Sequence, residues 1–273
     1  MNLNIQQIIV KSLPIIKEAG TLLKNEITKV KTSDIEKKNI HDFVTYVDRL
    51  SEKKLVNGLK KVIPSAGFIT EEKTIEENMA KEFVWIIDPL DGTTNYIHKL
   101  PPYSISVALM KKNKLVGGII YEITHNEIFY AWENGGAYLN GKKINVSNTS
   151  KVFNSLIATG FPFKDYSRIE GYMETIKFFM ENSLGLRRLG SAAVDLAYVA
   201  CGRFDAFYEY SLKSWDVAAG ALIVKEAGGK VCDFDGSNNF IFGEEIIATN
   251  NNIHNEFTEI IKDFLHINKQ SKL

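Results

Sequence analysis

The sequence predicts an α+β sandwich, with helix layers around two sheets, on three observations. An amphipathic helical pattern opens the chain, a meander of short alternating segments fills residues 103–146, and helical and strand-like stretches alternate beyond residue 150. With 273 residues, the chain is long enough to bury one large core. No repeat, low-complexity tract or linker divides it, so a single domain is expected, with an α+β part at 1–150 and an α/β part at 151–273.

Residues 3–26 place Ile5, Ile9, Leu13, Ile16 and Leu23 at helical intervals, with Pro14 expected to kink the helix. A second helix is expected from Asp48 to Val62, with Leu50, Leu55, Leu59 and Val62 on its apolar face and Pro64 ending it. Gly67–Thr70 and Phe83–Ile87 are short apolar runs that read as strands, each followed by acids. The meander comprises Ser104–Met110, Leu115–Tyr121 and Glu127–Trp132, and Asn140-Gly141 marks a hairpin. Helices follow at 168–182, 191–202, 215–227 and 253–266, with strands near 154–159, 204–209, 230–234 and 245–249.

Lys+Arg and Asp+Glu are equal at 33 each, so no global field recruits nucleic acid or a membrane surface. Only Cys201 and Cys232 occur, without a CxxC pair, which excludes a disulfide scaffold or thiolate metal site and fits a reducing compartment. With no signal-like N-terminus and no membrane-length apolar stretch, a cytoplasmic protein is expected. The terminal Ser271-Lys272-Leu273 matches a peroxisomal address, but three residues match easily by chance.

The chemistry is concentrated in the acids Glu71-Glu72, Asp88, Asp91 and Asp216, which sit where strands or loops meet turns or helix starts. Singly, each could be a solvated end or a helix cap. Five apolar or aromatic residues lead directly into Asp88, so burial is expected there. Carboxylates gathered in apolar surroundings repel one another and lose hydration, and divalent cations relieve both costs. Carboxylate and carbonyl oxygens are hard donors, which suit Mg²⁺, Mn²⁺ or Ca²⁺ rather than zinc. In Asp88-Pro89-Leu90-Asp91-Gly92-Thr93-Thr94, Gly92 permits close backbone approach, while Thr93 and Thr94 offer hydroxyl and N–H donors to a phosphate. An Asx-type turn would explain the same residues.

The segments WIIDPLDGTTNY, FITEEK and WDVAAGALIVKEAGG, with DFVTYVD at 42–48 and RRLGSAAVDLAYVACGRFDAFYE at 187–209, resemble the inositol monophosphatase family across most of the chain. The resemblance implies a layered αβαβα sandwich, a homodimer and Mg²⁺-dependent, lithium-sensitive hydrolysis of small phosphorylated polyols, with two or three Mg²⁺ per site and Mn²⁺ as an alternative. It implies Glu71, Asp88 and the Leu90 carbonyl as ligands of a first metal. Asp88, Asp91 and Asp216 would hold a second. Asp48 would partner Thr93, which with Glu71 orients the attacking water. Asp91, Gly92, Thr93, Thr94, Gly190, Ser191, Ala192, Glu209 and Asp216 would meet the substrate. Inositol monophosphate is the leading substrate, ahead of fructose 1,6-bisphosphate, histidinol phosphate or 3′-phosphoadenosine 5′-phosphate, and the Phe161–Asp165 segment is where substrate-shaping differences are expected. Because some bacterial members bind the transcription antitermination machinery, a regulatory binding role is the alternative, with Arg187-Arg188 on its surface.

Three other features receive plain readings. Gly136–Lys143 nearly matches a phosphate-binding loop, but Lys143 replaces Ser/Thr and the segment lies in a hairpin. His98 is expected on a loop surface. Lys37-Lys38 fits either a position near the metals or a solvated pair.

Overall fold

The computed structural model describes residues 4–30, 35–39, 42–162 and 165–265. In chain order the helices are α1 (Ile5–Glu26), α2 (Tyr46–Val62), α3 (Thr93–Ile97), α4 (Ile169–Asn182), α5 (Ala192–Ala200), α6 (Ser214–Glu226) and α7 (His254–Leu265). The N-terminal strands are β1 (Ile35–Asn39), β2 (Asp42–Thr45), β3 (Gly67–Thr70), β4 (Phe83–Asp91), β5 (Ser104–Lys111), β6 (Lys114–Glu122), β7 (Glu127–Trp132), β8 (Gly136–Leu139) and β9 (Lys142–Ile144). The C-terminal ones are β10 (Leu156–Thr159), β11 (Gly185–Arg187), β12 (Ala206–Tyr210), β13 (Lys230–Cys232) and β14 (Glu245–Thr249).

Strands β3 to β9 form one sheet in sequence order, antiparallel except for the parallel β3–β4 pair. A second sheet has the order β11-β10-β12-β14-β13, with β10 parallel to both of its neighbours. Alternation along β4 explains the layering. Phe83, Trp85 and Ile87 pack with α1 and α2, whereas Val84 and Ile86 pack with α5 and α6. Both faces are therefore buried, which is why FVWII reads as an uninterrupted apolar run. On their other side α5 and α6 meet Ala158, Phe207, Ile246 and Ala248 of the second sheet. Its outer face, with Ile157, Tyr208 and Ile247, packs on Tyr172 and Phe179 of α4 and Phe257 and Ile261 of α7. The result is the αβαβα order.

The two kinds of helix differ as their positions demand. α1 exposes Val10 and Pro14 on its water side, where solvent can serve the carbonyl that Pro14 leaves without an N–H, and the helix continues past it. α6 is buried from Val217 through Val224 because a sheet covers it on each side.

Three local outcomes differ from the sequence expectation. α2 starts at Tyr46 rather than Asp48, because Thr45 caps it and Asp48 accepts from the Thr45 N–H at 2.8 Å. The strand expected near 154–159 starts only at Leu156, because a 3₁₀ turn, Val152–Asn154, precedes it. The short strands β1, β2 and β11 carry too little periodicity to have been anticipated. Asn140-Gly141 does turn between β8 and β9, so the near-match to a phosphate-binding loop is a hairpin. The side chains of Lys37 and Lys38, residues Phe163-Lys164 and Ser271-Lys272-Leu273 lie outside the described residues. Among the described residues, no helix is long and apolar enough to cross a membrane.

Candidate active site

The Asp88 and Asp91 side chains lie three residues apart, which in a regular strand would send them to opposite faces. The ladder corrects this. Asp88 pairs with Ser106 and Asp91 with Ser104, so three steps on β4 oppose two on β5. This is a bulge, placed where Pro89 has no N–H to give to the ladder. Ser51 of α2 donates to the Pro89 carbonyl at 2.9 Å, and the Thr93 hydroxyl reaches the Leu90 carbonyl at 3.0 Å. The extra residue restores parity, and both carboxylates turn toward the α5–α6 layer.

Asp216 joins them from the first turn of α6, where its Oδ2 accepts the Lys213 N–H at 2.6 Å. Ser106, opposite Asp88, donates to the Trp215 carbonyl at 3.0 Å and fixes that helix start beside the strand. Oxygens of Asp88, Asp91 and Asp216 all lie within 4.8 Å of one another. Glu71, whose N–H bonds the Ile87 carbonyl at 3.2 Å, stands at the end of β3 beside Asp88.

The electrostatic consequence is strong. Burial, then the charges of Glu71, Asp91 and Asp216, push the Asp88 carboxyl well above its ordinary range, opposed by one hydrogen bond from the Leu90 N–H at 2.9 Å. Burial raises Asp91 to about 6, despite donors at the α5 N-terminus: the Ser191 hydroxyl at 2.5 Å and the Ala193 N–H at 2.8 Å. Glu209 of β12 is also pushed well above its usual range, by burial and then Asp216, with the Arg188 charge acting the other way. The fit to a divalent cation follows from these donors. The group offers only carboxylate oxygens, the hard donors that Mg²⁺ and Mn²⁺ take, with no imidazole or thiolate.

These residues border a cavity of about 440 Å³. Glu71, Asp88, Leu90, Asp91 and Asp216 line it, as do Gly92, Thr93 and Thr94, and so do Gly190, Ser191, Ala192 and Glu209. Asp48 stands behind, accepting from the Thr93 hydroxyl at 3.2 Å and, through its other oxygen, from Thr45. Gly92 occupies the left-handed region at φ 86°, which frees the chain to turn into α3. His98, at the end of that helix, is exposed and does not line the cavity.

Some cavity residues carried no role in the sequence. A Cβ on Gly160 would fall 2.0 Å from the Glu209 carboxyl carbon, so only glycine leaves that acid its place. Asp195, also in the wall, was detectable as the one charge in the apolar run Ala192–Ala200. Phe161 and Tyr166 form an exposed aromatic rim, with the Arg188 guanidinium 5.5 Å from the Phe161 ring centre. Arg188 is therefore tied to the cavity mouth.

A family model described as the inositol monophosphatase family matches residues 4–266. The chain belongs to the inositol monophosphatase family. Among its relatives is the Nus factor SuhB of Pseudomonas aeruginosa, 39% identical over 86% of this chain and 88% of the relative. The Escherichia coli K12 protein of the same name is 38% identical over the same shares. Among solved structures, the extragenic suppressor protein suhB of Bartonella henselae superposes with a TM-score of 0.87 at 36% identity, covering 94% of this chain and 98% of that one. An IMPase of Thermotoga maritima gives 0.84 at 33% identity, covering 94% and 97%. The layered family fold is thus shared over nearly the whole chain.

Proposed function

We propose that this chain is a divalent-cation-dependent phosphomonoesterase, with Mg²⁺ the foremost cation and inositol monophosphate the foremost substrate. The observation that carries the proposal is the convergence of Asp88 and Asp91 of β4 with Asp216 of α6 within 4.8 Å at a cavity. Family membership supports it.

Asp88, Asp91, Asp216, Glu71 and the Leu90 carbonyl would hold the cations. When bound, these supply positive charge against the clustered carboxylates and the phosphate, and they make water more acidic. The chain's own groups do the positioning. The Thr93 hydroxyl has one proton, drawn toward both the Leu90 carbonyl and Asp48, so its lone pairs are turned outward to accept from a water. Glu71 accepts that water's second hydrogen. N–H groups in the first turn of α3 have no intrahelical partner and meet phosphate oxygens. Glu209 accepts a polyol hydroxyl, while Gly190, Ser191 and Ala192 lie beside the ring. No protein nucleophile takes part, and positioning with charge compensation supplies the acceleration.

The test is phosphate release by purified protein with Mg²⁺ on inositol 1-phosphate, fructose 1,6-bisphosphate, histidinol phosphate and 3′-phosphoadenosine 5′-phosphate. Inositol 1-phosphate is expected to give the highest kcat/KM. Folded protein that releases phosphate from none of them sinks the proposal.

A second reading is favoured by one finding: the relatives carry the name Nus factor. Such a protein would act by binding within the transcription machinery. Absence of turnover on every ester, with the fold retained, would leave this reading standing alone.

A further inference from the structure

Asp195 has no part in the chemistry above, yet it lines the same cavity. It follows Ala192 by three residues on α5, so both lie on the cavity side of the helix. Only 1% of it is exposed, and its Oδ1 is enclosed without a hydrogen-bond partner among the described residues. Buried carboxyl oxygens almost always have a donor, and an apolar or amide side chain would fill the same volume at lower cost. The donors at the start of α5 do not serve it, since the Ser191 hydroxyl and the Ala193 N–H are directed to Asp91. Across the cavity wall stands Glu209, which with Asp91 and Arg188 makes up the charged surroundings of Asp195.

We propose that Asp195 is a specificity-determining residue, whose carboxyl takes a hydroxyl of a phosphorylated polyol beside the one held by Glu209. Two acceptors from different elements, β12 and α5, would then read neighbouring hydroxyls of one ring. Substrates with a free hydroxyl there give the carboxyl a donor, whereas esters without one leave it buried and unpaired. The inference rests on the phosphomonoesterase reading.

Asp195→Ala and Asp195→Asn, assayed with Mg²⁺ on inositol 1-phosphate and on phenyl phosphate, test it. The ratio of kcat/KM for the polyol ester to that for the phenyl ester is expected to fall about tenfold in Asp195→Ala, mainly through KM. Asp195→Asn keeps one acceptor oxygen and recovers part of the ratio, and it carries the test should the alanine variant fail to fold. A ratio within about twofold of the parent in the folded variants, or parallel losses on both esters, overturns the proposal. Failure of the parent protein to cleave either ester overturns the phosphomonoesterase reading and this inference with it.

Discussion

Glu52 and Glu122 are enclosed as fully as Asp88, with no exposure against 2% for Asp88, yet their surroundings differ in kind. Glu52 accepts from the Glu72 N–H at 2.8 Å and from both the N–H and hydroxyl of Thr74 at 2.7 Å. Glu122 takes the Thr124 and His125 N–H groups at 2.9 and 2.7 Å, the Thr124 hydroxyl and the His125 ring. Asp88, by contrast, receives one N–H and faces three other acids. A carboxylate that serves the fold has its lone pairs filled by the chain. One with lone pairs left over and like charges beside it is poised for a cation.

Breaking the cation side should have the largest effect. Asp88→Asn and Asp216→Asn are each expected to lower turnover at least about a hundredfold, with melting in chelator no lower than for the parent, since each removes repulsion. Near-normal turnover in both variants would take these residues out of the mechanism. The structural side should respond in the opposite sense. Glu52→Ala leaves buried donors at Glu72 and Thr74 unpaired and should lower stability by about 2–4 kcal/mol, read by denaturant unfolding in chelator. Because those donors hold the loop that follows Glu71, the variant should also need more Mg²⁺ for half-maximal activity. An unchanged unfolding midpoint would erase the distinction between the two sets of acids.

Most of this layout was legible in the sequence because its signals are local. The FVWII run, the α1 and α2 periodicities and the Asn140-Gly141 turn each state their own conformation. The apolar approach to Asp88 announced its burial. The bulge was less visible: Pro89 hints at it, but the parity change appears only when Asp88 and Asp91 are counted against Ser106 and Ser104. Asp195 was overlooked for a related reason. Its importance lies in a missing donor, and only the three-dimensional surroundings reveal that. Gly160 likewise reads as a turn residue until the Glu209 carboxyl is found where its Cβ would be.

The central claim is that the buried acids are held together for a divalent ion. Asp91 has a folded value raised to about 6 from the ordinary 3.8, so its favourable share of stability is complete below 3.8 and lost as pH rises through about 6. Cations should restore that loss. The decisive measurement is the Mg²⁺-induced rise in melting temperature at pH 4.5 and pH 7, for the parent and for Asp88→Asn. A rise that is small at the lower pH, grows toward pH 7 and is largely abolished in Asp88→Asn is the expected result. A rise that is absent, or equal at both pH values and unaffected by the substitution, would contradict it.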